Sequence, residues 1–294
     1  MAIHYGGQAV MEGVMMRGAR HMAVAVRKPS GEIMVHSEPL PRSIYGSSAS
    51  KLPLLRGLVM LWDALVLGTR SLMFSADVAL EEEDVSFGGP VIWGTLLVSV
   101  LLSVGLFVLL PTVLVGLVDR YLIIPLVSNL AEGLVRLLLF VAYLFVIGRL
   151  PDIQRVFAYH GSEHKTINAY EAGVPLTVGD IRPFSTAHVR CGTGFLLVVL
   201  IIFVLLSSLL GRPPLLQRFL LRIVLIPMVS ALAYEFLKFT ARHQDHPLVK
   251  ILVAPNLWLQ RLTTREPDDS MIEVAIAALQ CVLEKDGTAS AEPA

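Results

Sequence analysis

The segment AYHGSEHKTINAYEAG, from Ala158 to Gly173, carries the residue types of a metal centre. His160 and His164 are four residues apart, and Glu163 directly precedes the second histidine. Two imidazoles at this spacing on one helix face can chelate a divalent ion. The order His-x-x-Glu-His is also the inverted pattern of zinc peptidases, in which the glutamate is the general base for a water that the metal activates. The segment therefore predicts a metal site with Glu163 as the catalytic base.

The sequence leaves the third protein ligand of this metal site undecided among several residues elsewhere in the chain. His188, Glu235 and His243 are candidates for it, because each lies near one end of a long apolar run. Glu171 and Cys191 are further candidates, although a solvated helix-end acid and a small packing residue are their simpler interpretations. The cofactor predicted for such a set is a divalent metal ion, with zinc favoured. The alternative is a polar helix whose histidines only hydrogen-bond the backbone of a loop.

One helix must position these side chains. Pro151 and Asp152 are typical of a helix start, and Gly173 is typical of a helix stop. The sequence therefore predicts a helix from Asp152 to about Glu171. At about 100° per residue, His160, His164 and Glu171 fall within about 40° of one another, and Glu163 lies about 60° to one side.

The composition is that of a membrane protein. The 294 residues have a mean hydropathy of +0.67 and are 16% charged, whereas soluble domains carry roughly 25%. The 24 basic and 24 acidic residues balance, which argues against a nucleic-acid partner. Two cysteines are too few for a disulfide framework. The N-terminus lacks the charged and apolar regions of a signal peptide, so we expect no cleaved leader.

Four apolar runs predict membrane spans, since each approaches or exceeds the roughly 20 residues that cross a bilayer. They are Val91 to Val118, Leu130 to Leu150, Gly194 to Leu210 and Phe219 to Phe239. Lys and Arg are concentrated before the first run, between the second and third, and after the fourth. The positive-inside rule then places both termini and the central loop in the cytoplasm.

The expected fold class is an α-helical multi-pass membrane protein with a small N-terminal cytoplasmic β subdomain and cytoplasmic amphipathic helices. In chain order, its predicted parts are the β subdomain (1–51), an interfacial helix with an acidic linker (52–84), a first transmembrane pair (91–150), the histidine-rich loop (151–193), a second pair (194–240) and a tail with amphipathic helices (241–294).

Two regions outside the spans carry unusual charges. The β subdomain is expected to have about three strands, including a hairpin from Met22 to Glu38. Glu12 and Arg17 interrupt one of its apolar strands, and either pair with each other or face the histidine cluster. The helix of residues 52–79 carries charges of alternating sign every seven residues, at Arg56, Asp63, Arg70 and Asp77, which predicts a helix at the membrane surface or one buried against protein.

The spans include charged residues. Glu132 and Arg136 are spaced to pair with each other along a helix, and Arg222 is expected to extend its side chain to the membrane surface. The spans show no chain of acids and no symmetry between halves, which makes a transporter the weakest functional hypothesis.

Five motifs together resemble the YqhQ-type family, a group of uncharacterised bacterial multi-pass membrane proteins defined as a domain of unknown function. They are GGQAVMEGVMMRG, HGSEHKTINAYE, HVRCGTGF, YEFLKF and TTREPDD. The resemblance covers about residues 4 to 283. It implies a protein of the bacterial cell membrane and a metal-dependent enzyme of undefined substrate.

Two functional hypotheses follow. The first is a metal-dependent hydrolase acting at the cytoplasmic face on a membrane protein, a peptide or a lipid-linked molecule. The second is a non-enzymatic factor for membrane-protein biogenesis, assembly or quality control, because the charged stripe and the amphipathic tail suit protein partners. Both hypotheses make the lipid bilayer a partner, and both allow membrane proteins as partners or substrates.

Overall fold

The structure is a computed structural model that describes residues 5–41, 52–81, 90–118, 124–211, 213–244 and 246–287. A small antiparallel sheet packed between helices forms one part, and long apolar helices form the other. The predicted linker residues 82–84, the loop residues 119–123 and the last seven residues lie outside the described segments.

The sheet has four strands where about three were expected, in the order β1-β2-β3-β4. They are β1 (Gly6–Val10), β2 (Gly13–Arg17), β3 (His21–Arg27) and β4 (Ile33–Pro39). The predicted hairpin is confirmed: β3 pairs with β4 around a turn in which Gly31 has a φ of 89°. That conformation favours glycine because it has no Cβ.

The helices before the central loop are α1 (Leu55–Trp62), a π-helical turn (Asp63–Leu67), α2 (Gly68–Ala79), α3 (Pro90–Val104), a second π-helical turn (Gly105–Leu109), α4 (Leu110–Val118) and α5 (Pro125–Ile147). Those that follow are α6 (Pro151–Glu171), α7 (Val178–Ile181), α8 (Gly192–Leu209), α9 (Leu215–Arg242), α10 (Pro247–Thr263) and α11 (Asp269–Asp286).

Both faces of the sheet are covered. On one face, Val14, Met16 and Ala23 join a buried cluster with residues of α6 and α11, including Leu279. On the other face, Val10, Met15 and Val24 pack against Leu67 and Val78 of the α1–α2 segment. Each fully buried side chain of this size contributes about 1.5–3 kcal/mol. The first of these clusters thus holds α6, which carries the histidine motif, against the sheet.

Among the described residues, four helices are long and apolar enough to cross a membrane: Trp93–Val118, Pro125–Ile147, Gly192–Leu209 and Leu220–Arg242. The prediction of four such helices is confirmed at the level of length and composition. Their outward surfaces are apolar, as at Leu97, Leu102 and Val224, each of which is more than half exposed. Exposed apolar surface of this extent is typical of a lipid-facing bundle.

Pro111 explains the π-helical turn before it. A proline has no N–H, so the carbonyl four residues earlier, that of Phe107, loses its helical partner. The Arg136 Nε donates to the Phe107 oxygen instead, at 2.7 Å. The freed carbonyl therefore becomes an acceptor that ties α5 to this turn.

A buried ion cluster holds the same region. Arg136 and Arg222 each donate to the Glu132 Oε1 at 2.8 Å, and the Thr112 hydroxyl donates to it at 3.0 Å. The predicted pairing of Glu132 with Arg136 is confirmed. The expected extension of Arg222 towards the surface is wrong, because Arg222 turns inward to the carboxylate and is only 14% exposed. An ion pair inside hydrocarbon is far less costly than an isolated arginine.

The charged residues that recur every seven positions along α1 and α2 have different surroundings. Arg56 forms a two-pronged ion pair with Glu235 of α9, with its Nε 2.6 Å from the Glu235 Oε1. Arg70 and Asp77 are exposed, and the side chain of Asp63 lies outside the described atoms. One charge of the stripe therefore anchors the helix to the bundle, and two face outward.

Candidate metal centre

Helix α6 places the two histidines of the motif on one face. It runs from Pro151 to Glu171, as the flanking proline and glycine predict. The rings of His160 and His164 lie with their centroids 4.4 Å apart. His164 is 1% exposed and His160 is half-buried.

Backbone carbonyls from two other segments fix both rings. The His160 Nδ1 lies 2.8 Å from the Thr263 oxygen at the end of α10, and the His164 Nδ1 lies 2.6 Å from the Thr186 oxygen in the α7–α8 loop. A carbonyl only accepts, so each Nδ1 carries the proton and donates. Each Nε2 is then left with its lone pair for a ligand, as in metal-bound histidines oriented by an outer acceptor.

Cys191 completes a group of three donors. It caps α8, and its Sγ lies 3.3 Å from the His160 Nε2 and 2.9 Å from the Thr193 hydroxyl. The donor atoms of His160, His164 and Cys191 all lie within 4.8 Å of one another. In tetrahedral zinc sites with bonds of about 2.0–2.3 Å, adjacent ligand atoms are about 3.3–3.8 Å apart. The three side chains therefore fit one ion after small movements.

Glu163 lies beside this group and is 5% exposed. Its Oε2 is 3.4 Å from the His164 Nε2, the ring nitrogen left free by the bond to Thr186. A carboxylate next to a donor atom, and not itself among the three donors, has the position expected of a general base.

His188, Glu171 and Arg190 form a hydrogen-bonded group next to the donors. The Glu171 carboxylate binds Arg190 and lies 3.4 Å from the His188 Nε2. The Arg190 N–H donates to the His188 Nδ1 at 3.4 Å. Burial lowers the pKa of His188, and the charge of Glu163 opposes this shift. Both ring nitrogens of a neutral His188 thus have protein partners. The centroid of its ring lies 5.8 Å from that of the His164 ring.

The other sequence-predicted residues lie elsewhere. Glu235 pairs with Arg56, and the exposed His243 bonds the Phe239 carbonyl through its Nδ1 at 2.9 Å. Glu12 pairs with Arg155 of α6, and the Tyr159 hydroxyl lies 3.4 Å from its carboxylate. Arg17 is at the end of β2, opposite Gly6. The structure brings Cys191 to the two histidines, and it does not bring Glu235 or His243 there.

Sequence reasoning missed the contacts that assemble the centre. One of these contacts is at Gly161, where a Cβ would collide with the Arg265 carbonyl. The close approach lets the segment after α10 lie against α6 and present the Thr263 oxygen to His160. Gln260 of α10 bonds both the N–H and the carbonyl of His188 at 2.9 Å, which fixes the loop before Cys191. A glycine next to the first histidine was the only sequence signal for this packing.

Together these features define a class: a helical protein with four membrane-length helices, a helix-packed sheet and a two-histidine, one-cysteine donor group. The profile of a family described as "Protein of unknown function (DUF1385)" matches residues 52–285. The chain belongs to this family.

The chain is also 36% identical over 292 residues to "Uncharacterized protein YqhQ" of Bacillus subtilis (strain 168). The match covers 95% of this chain and 92% of that protein. It confirms the family resemblance found in the five motifs. No solved structure matches the chain.

Proposed function

We propose that this protein is a metal-dependent hydrolase at the cytoplasmic face of the bacterial cell membrane. The observation that carries the proposal is that His160, His164 and Cys191 each bring one ligand atom within 4.8 Å of the others, beside the Glu163 carboxylate. Three protein ligands with one open position are typical of catalytic zinc sites, whereas structural zinc sites have four.

The donor set is suited to zinc. Imidazole and thiolate are ligands that zinc prefers over the oxygen ligands of magnesium or calcium. A divalent ion held here would supply Lewis acidity and lower the pKa of a water molecule. Cys191 replaces His188, Glu235 and His243 as the proposed third ligand.

The protein's own groups would carry the proton. In hydrolysis the hydroxyl of water adds to the reacting centre, and the other water proton ends on the leaving group. Glu163 would accept that proton and then deliver it to the leaving group. The buried surroundings strengthen the electrostatic effect of each charge that faces the reacting atoms.

The substrate is proposed to meet the site at the membrane surface. Cys191 directly precedes the membrane-length helix α8, and α6 begins four residues after α5 ends. The donor group thus lies at the N-terminal end of the candidate span α8, next to Cys191. With the orientation predicted from Lys and Arg, this end faces the cytoplasm.

The test is a search for products in native membranes. Membranes from a deletion strain are incubated with zinc-loaded wild-type protein or with Glu163→Gln protein, and new peptide termini and released lipid fragments are measured by mass spectrometry. We expect products with the wild type that are absent with the variant. Identical profiles for the two proteins would contradict the hydrolase proposal.

A biogenesis or quality-control factor is the second candidate. The observation in its favour is that α1 is anchored to α9 by Arg56 while Leu58, Trp62 and Leu65 are exposed beside it. Complementation separates the two functions. If Glu163→Gln restores every deletion phenotype and a chain without residues 52–79 does not, the role is not catalytic.

A further inference from the structure

Helix α10 has a protein-facing side and an exposed side of opposite character. Its buried residues are Val249, Val253, Asn256, Leu259, Gln260 and Thr263. Its most exposed large apolar residues are Leu248, Ile251, Leu252 and Trp258, each more than half exposed. The amide and hydroxyl side chains of this helix thus face the protein, and large apolar side chains face outward, which is the reverse of a surface helix in a soluble protein.

The exposed side of α10 is one continuous apolar sector with a basic edge. At about 100° per residue, its four exposed apolar residues fall within about 120° of one another. The two charged residues of the helix, Lys250 and Arg261, are exposed and lie about 60–80° beyond Trp258. An apolar sector with lysine and arginine beside it is the pattern of helices that lie in the membrane interface.

Helix α10 crosses the end of the candidate span α8. A Cβ on Gly194, the third residue of α8, would collide with the Asn256 side chain, and the hydroxyls of Thr193 and Thr263 are 3.5 Å apart. Asn256 and Thr263 are about 10 Å apart along α10, yet both contact the first turn of α8. The two helices therefore meet at a large angle. A helix that crosses the end of a span in this way lies along the membrane surface.

The C-terminal part of α10 joins this membrane boundary to the metal centre. A Cβ on Gly148, the residue after α5, would lie 3.6 Å from the Leu262 carbonyl. The next carbonyl, that of Thr263, accepts from the His160 Nδ1 at 2.8 Å. One turn earlier, Gln260 bonds the main chain of the loop that carries the third donor. The helix that faces outward with apolar side chains therefore also supplies the contacts that orient the donors.

We propose that α10 binds the lipid leaflet on the side of the metal centre, and that this contact keeps the outer acceptors of the centre in place. The apolar sector lies among acyl chains, and Lys250 and Arg261 lie at anionic headgroups. Lipid is the occupant because α10 crosses the end of a candidate span and because its basic edge complements anionic headgroups. The lipid contact is independent of the proposed function, whereas its effect on the metal centre rests on that function.

Tryptophan fluorescence tests the lipid contact. The chain has three tryptophans, so Trp62→Phe/Trp93→Phe protein keeps Trp258 as its one indole fluorophore. The full-length protein is placed in nanodiscs whose lipids carry bromine either near the headgroup end or at the far end of an acyl chain. We expect the shallow bromines to quench Trp258 about twofold more strongly than the deep ones, because an interfacial helix lies about 5–10 Å into the leaflet.

Two results would overturn the lipid contact. Absence of quenching by either lipid would leave this side of α10 to water or to a protein partner. Stronger quenching by the deep bromines would place Trp258 near the centre of the bilayer, so that α10 would not lie along the surface.

Ile251→Asp tests whether the lipid contact supports the metal centre. Ile251 is 68% exposed in the apolar sector, and a carboxylate there is costly among acyl chains. The matched control is Val35→Asp on β4, where Val35 is 41% exposed. In nanodiscs with anionic lipid, chelator competition should show about tenfold weaker zinc binding for Ile251→Asp and unchanged binding for Val35→Asp. Equal zinc affinities in both variants and the wild type would overturn the effect on the centre.

A second variant keeps the test decisive if Ile251→Asp protein does not fold. Lys250→Glu/Arg261→Glu reverses the charge of the exposed edge and leaves the apolar sector in place. We expect it to reduce the shallow quenching of Trp258 in nanodiscs with anionic lipid and to weaken zinc binding. Unchanged quenching and unchanged zinc binding would overturn the role of the basic edge.

The outcomes separate the two proposals, because the quenching is measured without zinc. The expected quenching together with no zinc binding in any variant would refute the metal centre and leave α10 as a membrane-surface helix. Zinc binding and product release without quenching of Trp258 would refute the lipid contact and leave the hydrolase.

Discussion

Two polar clusters of this molecule differ in how their hydrogen bonds are arranged. In the cluster of Glu132, Arg136 and Arg222, both guanidinium groups converge on one carboxylate oxygen, and Arg136 also bonds the Phe107 carbonyl. In the cluster of His160, His164 and Cys191, backbone carbonyls occupy the outer ring nitrogens, and the inner donor atoms converge on one another.

The difference teaches how to distinguish a structural cluster from a candidate site. In the ion cluster, the Glu132 carboxylate accepts from Arg136, Arg222 and Thr112, and these bonds tie three helices together. In the histidine cluster, three side chains that can each bind a metal ion bring their ligand atoms within 4.8 Å of one another. The first cluster is held by its own ion pairs, and the second has the composition and spacing of a group that could hold a metal ion.

The largest effect expected on stability is in the ion cluster. Arg136→Met should lower the free energy of unfolding by about 2–4 kcal/mol, because it removes the bonds of Arg136 to the Phe107 carbonyl and to Glu132, although Glu132 keeps its pair with Arg222. Thermal unfolding in detergent measures the loss. Arg149→Met is the control, because Arg149 is exposed at the end of the same helical region and stacks on Phe145.

The metal content of Arg136→Met protein tests whether the two clusters are independent of each other. Arg136→Met protein that remains folded should keep its full metal content, since the ion cluster is not a ligand set. A loss of metal in this variant without loss of fold would show that the two clusters are coupled.

Cys191→Ser should weaken metal binding by about 100-fold, because a hydroxyl is a much poorer zinc ligand than a thiolate. Competition with a chelator measures the affinity. Cobalt-substituted wild-type protein should also show a thiolate-to-metal absorption band that Cys191→Ser lacks. Equal affinities and equal spectra would exclude Cys191 from the centre.

Gly161→Ala should weaken metal binding less than Cys191→Ser does, because it acts by displacing the Thr263 carbonyl that orients His160. The added methyl group collides with the Arg265 carbonyl, so the segment that orients His160 must shift, at a cost of about 1–3 kcal/mol in stability. Loss of the outer acceptor should weaken metal binding by about tenfold.

The control for that variant is Gly179→Ala in α7, where a Cβ would meet only Thr177, at 4.0 Å. Chelator competition and thermal unfolding are measured for both proteins. Equal effects of the two changes would contradict the role given to the close packing at Gly161.

Features with local or compositional signals were predictable from the sequence. The four apolar helices follow from hydropathy, and the limits of α6 follow from Pro151 and Gly173. The hairpin of β3 and β4 follows from its turn residues. The pairing of Glu132 with Arg136 follows from their spacing of one helical turn.

The third donor and the orientation of the rings were not predictable in this way. Cys191 reaches the histidines through a loop that Gln260 fixes from more than 60 residues further along the chain. The acceptor for His160 is a backbone carbonyl, and every residue has one, so no residue type marks it. The inward turn of Arg222 likewise depends on a carboxylate 90 residues away.

The most direct test of the central claim is the metal content of the purified protein. Wild-type protein and His160→Ala/His164→Ala protein are purified in detergent, loaded with zinc, desalted and analysed by mass spectrometry. We expect about one equivalent of zinc in the wild type and almost none in the double variant, with both proteins folded by circular dichroism. The same zinc content in both proteins, or no zinc in either after loading, would contradict the metal centre.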